Sequence, residues 1–161
     1  MRGDPEPPGI PAEVAAAFVA FPGPIRLRLL EVRKLIFATA AEIAGVGPLT
    51  ETLKWGEPAY LTEATGAGST IRLSRPKSPE GAGAVLFNCR TTLVATFRMQ
   101  FPEALAFQGN RAILLDPSAP LPTEPLSMCI AMALFYHRRR DRDRLHAARL
   151  DTKRLKFTGL P

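Results

Sequence analysis

The sequence predicts an α+β two-layer sandwich, an antiparallel sheet of about five to six short strands packed by N-terminal and C-terminal helices. Three observations carry that expectation. Ile25, Leu29, Val32, Ile36, Ala40 and Ile43 recur every three or four residues, a continuous stripe along one helical face. From Leu53 onward the pattern changes to short apolar or β-branched segments separated by turn residues. A second helical pattern, with Ile130, Ala133, Leu134 and His137 on one face, follows those strands.

Taken in order, residues 1–11 hold four prolines and two glycines and are expected to form a flexible leader. Residues 12–21 are alanine-rich, and Val14, Phe18 and Phe21 give a short helix an apolar side before Pro22, Gly23 and Pro24 break it. The long helix starts after Pro24. Leu30, Phe37 and Ala44 widen its stripe, Arg26, Arg33 and Lys34 fall mainly on other faces, and Gly45, Gly47 and Pro48 end it. Strands are expected at 59–62, 70–74, 84–88, 93–97 and 111–115, with Gly109-Asn110 turning a hairpin between 105–107 and 111–115. Parallel pairing would need crossover helices for which these connections leave no room, so the sheet is antiparallel. Residues 116–125, with four prolines, end it. A second long helix over 126–140 then runs into 141–156, where charged residues alternate and apolar ones are sparse, giving a solvated helix extension or a frayed tail. The expected organisation is a leader at 1–11, a domain at 12–140 and a basic tail or helix extension at 141–161.

Apolar residues at 46% and charged residues at 22% argue against wholesale disorder. The net charge of +6 is local. Residues 137–156 carry nine Arg/Lys against three Asp, the whole excess, and the rest of the chain is balanced. Cys89 and Cys129 form no CxxC or Cys/His ligand cluster, and residues 1–11 lack the apolar core of a signal peptide. The mostly apolar run at 126–136 is too short to span a bilayer. A cytoplasmic protein with reduced thiols and no membrane partner is expected.

No HExxH, Walker, GxGxxG or GxSxG pattern occurs, so no catalytic residue, metal ligand or cofactor is assigned. Cys89 beside Arg90 could be an activated thiol, but the histidines, His137 and His146, lie far along the chain, and Cys89 reads better as a strand residue. Cys129 reads as a small core residue. Trp55, the single tryptophan, is expected to anchor the core with Tyr60 turning its hydroxyl to solvent; the alternative has both lining a groove on the sheet. Lys54 and Glu57 flank the tryptophan. With Arg72, Arg90 and Arg111 in the strand region and no matching acidic cluster, such a groove would bind a small anionic ligand or a protein partner. The basic segment, with Arg138, Arg139, Arg140, Arg142 and Arg144, offers nucleic acid as an alternative partner, although three aspartates interrupt the run and aromatic residues for base stacking are missing.

The stretch Lys54-Trp55-Gly56-Glu57-Pro58-Ala59-Tyr60, just after the long helix, resembles the Lys-Trp-Gly-x-Pro-x-Tyr stretch of the YdhG-like family, a bacterial domain mostly without assigned function. Gly109-Asn110-Arg111-Ala112-Ile113 is similar to the glycine and basic residue that open the family's last strand. The resemblance covers residues 11–140 and implies a frataxin-like arrangement and, by way of one member, an intracellular iron chaperone; with no catalytic constellation in the residues, a non-enzymatic binding or accessory module is expected. The long helix carries Glu31 and Glu42 among Arg26, Arg28, Arg33 and Lys34, so the acidic ridge that iron requires is not expected. The proline- and glycine-rich segment 75–83 and the basic tail are further departures.

Overall fold

A computed structural model describes residues 6–157. Helices α1 (Ala12–Val19) and α2 (Gly23–Glu42) lead into the hairpin β1 (Thr50–Lys54) and β2 (Glu57–Leu61), then β3 (Ile71–Ser74) and β4 (Gly83–Leu86). Helix α3 (Leu93–Gln100), the hairpin β5 (Ala106–Gln108) and β6 (Ala112–Leu115), and helices α4 (Thr123–Leu134) and α5 (Tyr136–Phe157) complete the chain. The six strands form one sheet in the order β1-β2-β3-β4-β6-β5, antiparallel throughout. The α+β class and its two layers are as the sequence predicts.

Side-chain alternation divides the sheet. One face sends Tyr60, Ile71, Leu73, Val85, Ile113 and Leu115 into the core against Val14 and Phe18 of α1, Leu29, Val32 and Ile36 of α2, and Leu126, Ile130 and Leu134 of α4. The stripe read along α2 is the buried one: Ile25, Leu29, Val32, Ile36 and Ala40. Gly45 and Gly47, with φ of 91° and 70°, turn the chain out of it.

Several expectations are corrected. Residues 93–97 form helix α3, because Leu93, Val94 and Phe97 at helical spacing all reach the core. Strand β1 lies where no strand is expected, since Thr50–Lys54 shows no clean apolar alternation and is half-buried at every position but the exposed Lys54. Cys89 sits in an exposed turn beyond β4. Arg33 is buried within the core side of α2, held by Glu51 of β1, and Arg28 is buried with Nη2 donating to the carbonyls of Pro117, at 3.2 Å, and Ala119. The single helix expected over 126–140 is two, broken at Phe135. The break is made by the loop at 62–69: Ser69 N donates to Ala133 O at 2.8 Å, and Ala67 O accepts from His137 N and Arg138 N at 3.0 and 3.2 Å, satisfying the first donors of α5. Gly68 allows this approach, because a Cβ there would stand 2.3 Å from the Leu134 backbone. Residues 141–157 continue as helix. Of the expected leader, Ile10 packs on the core and Pro8 O accepts from Arg33 Nη2 at 2.7 Å, while residues 1–5 lie outside the described residues.

Candidate functional site

Among the described residues, the core helices pack on the first face, and the second face of the sheet is turned away from that core. Cross-strand register aligns Thr52, Ala59, Arg72, Leu86, Ala112 and Gln108 in one row across it. Ala59, Ala84 and Ala112 give this face a low floor, and Glu57, Arg72, Ser74 and Leu86 project from it beside them. Two adjoining clefts of about 400 and 340 Å³ open here, sizes suited to a small molecule. Trp55, Arg72 and Arg111 line both. Arg75, Pro76 and Gln108 close the first, and Lys54, Asn88 and Cys89 edge the second.

The hairpin turn explains Trp55. Lys54 pairs with Glu57, leaving Trp55 and Gly56 as a two-residue loop, and both have positive φ, 56° and 73°. Two positive φ values are what a type I′ turn requires, and asparagine-glycine is its usual sequence. Tryptophan here pays steric strain, and it is 89% exposed. The expected core anchor is therefore a solvent-facing indole on the cleft rim. Tyr60 takes the reverse place. Three positions beyond the cleft-lining Glu57 on a strand of period two, it points into the helices, fully buried and edge-on to Phe37 at 5.8 Å. Its hydroxyl, buried beside Arg33 and Glu51, makes no hydrogen bond among the described residues, and burial, then the Glu51 charge, raises its pKa.

Of the expected ligand residues, the fold thus brings Lys54, Trp55, Glu57, Arg72 and Arg111 to one surface. Tyr60 lies on the opposite face, and Arg90 sits in the turn where its N–H bonds Asn88 Oδ1, outside both linings. Ser74, Arg75 and Gln108 were not singled out by sequence. The alternation of Thr70, Arg72 and Ser74 with Ile71 and Leu73 carries the signal for Ser74; nothing local indicates Gln108, whose Nε2 donates to Ser78 O at 2.6 Å and ties the 75–83 segment to β5.

The electrostatics are uneven. Lys54, Arg72, Arg75 and Arg111 surround a single carboxylate, Glu57. Glu57 Oε2 lies 3.8 Å from Arg72 Nη1 and is buried without a hydrogen-bond partner among the described residues. No histidine is among the cleft-lining residues. Among the described residues no group of three or more His, Cys, Asp or Glu is placed to hold a metal, and no helix is long and apolar enough to cross a membrane. No protein-family model, curated protein or solved structure matches the chain.

Proposed function

We propose that the domain is a non-enzymatic binding module whose open sheet face takes a small anionic molecule with a flat apolar part. The observation that carries this reading is the exposed, strained Trp55 on the rim of clefts lined by Ala84, Ala112, Arg72, Arg75, Arg111 and Lys54. Guanidinium groups form paired charge-assisted hydrogen bonds to carboxylate or phosphate, and an indole stacks on a planar group beside them. The lining supplies no imidazole to act on Ser74 or Cys89, which favours binding over nucleophilic chemistry. The module is read as acting in the cytoplasm.

Trp55 is the only tryptophan, so its emission reports the cleft directly. Titration with a panel of phosphorylated and carboxylated metabolites should give saturable quenching with at least one compound. Arg72→Gln and Arg111→Gln should each weaken that binding about tenfold or more, the loss expected for a charged hydrogen bond. A panel that leaves the emission unchanged, or unaltered affinity in both variants, overturns the reading.

A further inference from the structure

Helix α5 leaves the body at the 62–69 loop, and every residue from Arg138 to Arg154 is exposed. It is a rod of charge fixed at one end. In sequence its three aspartates interrupt the basic run; on the helix they do not. At about 100° per residue, Arg138, Arg142, Arg149 and Lys153 fall within one sector about 60° wide, with His146 at its edge. Asp141, Asp143 and Asp151 all lie outside it, the nearest about 60° away. Arg138, Arg142, Arg149 and Lys153 make no ion pair among the described residues; Arg138 Nη2 donates to Thr65 O at 3.3 Å. The stripe runs about 22 Å, a span of about six base pairs of duplex.

From this charge segregation we infer that α5 is a docking helix for the sugar–phosphate backbone of a nucleic-acid duplex. The complementarity is specific to a polyanion, because the rest of the chain is electrically balanced and the excess sits on this rod. A membrane surface needs a continuous apolar face, and the exposed Leu145 and Leu150 lie about 140° apart. A protein partner would draw on an aromatic or aliphatic anchor at the centre of its patch, and the apolar residue nearest the stripe, Leu145, lies about 20° outside its Arg138 edge. A single strand calls for stacking platforms, and no tryptophan, tyrosine or phenylalanine lies between Arg138 and Lys153 along the stripe. Arginine, which dominates the stripe, suits phosphate through its planar fork of donors.

Fluorescence anisotropy of the full chain on a labelled 20-base-pair duplex of arbitrary sequence tests this. Four neutralised phosphates give a log–log salt slope of about −3.6, so affinity should fall about 100-fold between 50 and 200 mM salt. Arg142→Glu with Arg149→Glu should weaken binding more than tenfold. Arg140→Glu with Arg144→Glu, the same charge change on the far side, should weaken it no more than about threefold. Circular dichroism checks that the helix persists, and Arg142→Gln with Arg149→Gln, good helix formers, should reproduce a smaller loss if the glutamates unwind it. Equal losses from the two double variants, no salt-dependent duplex binding, or tighter binding to poly(dT) or to phosphatidylserine vesicles each overturn the inference.

Discussion

Arg33 of α2 grips Glu51 of β1 through two hydrogen bonds, Nε to Oε2 at 2.6 Å and Nη2 to Oε1 at 2.8 Å, with both side chains 5% exposed. The pair joins the long helix to the edge strand beside the Trp55 hairpin, and Arg33 lies over the Phe37 ring at 4.9 Å. The hydrogen bonds to Glu51 raise the Arg33 pKa, so the guanidinium stays charged. Arg33→Met leaves Glu51 as a buried unpaired charge and should cost about 3–5 kcal/mol in urea denaturation. Replacing both partners, Arg33→Met with Glu51→Leu, should recover most of that loss. A double variant as unstable as the single one would show that the packing of Arg33, not its charge pairing, is what matters.

Trp55 is strained where an asparagine would not be. Trp55→Asn should therefore raise stability by up to about 1 kcal/mol while abolishing the stacking wall of the cleft. Chemical denaturation reads the first effect and ligand titration by chemical-shift mapping the second. A destabilised Trp55→Asn protein would mean the indole contributes packing that its exposure does not reveal.

Gly68→Ala places a methyl 2.3 Å from the Leu134 backbone. Backbone cannot rotate away as a side chain can, so the loop must shift, at a cost of about 1–3 kcal/mol. Thermal unfolding should show the loss, and hydrogen exchange at His137 and Arg138, whose N–H groups bond Ala67 O, should quicken.

Alkaline pH should destabilise the domain through two buried acids. Burial pushes the Cys129 thiol up from its ordinary 9.0 to about 12, and burial with the Glu51 charge raises Tyr60 above its ordinary 10.0. Both groups keep their protons longer in the folded state, so their stabilisation is complete below the unfolded values and is lost as pH rises past 9 and 10. Urea midpoints should fall over that range, and Cys129→Ala should flatten part of the fall. At neutral pH a thiol reagent should label the exposed Cys89 in the native protein and reach Cys129 only on unfolding.

What the sequence by itself determined is what periodicity reports. The stripe from Ile25 to Ala40 is the buried face of α2, the Gly109 hairpin is where its glycine suggests, and the basic excess is where its residues cluster. These are local properties, fixed by which residues recur at 3.6 or 2. Only the tertiary structure decided which face each residue takes. Trp55 and Tyr60 exchange their expected places because a two-residue turn sets the hairpin register, and one residue of register turns a side chain from core to solvent. Arg33 is buried because Glu51, distant in sequence, meets it across the α2–β1 contact. The aspartates of α5 interrupt its basic run only in one dimension, and coiling the chain into a helix moves them off the stripe.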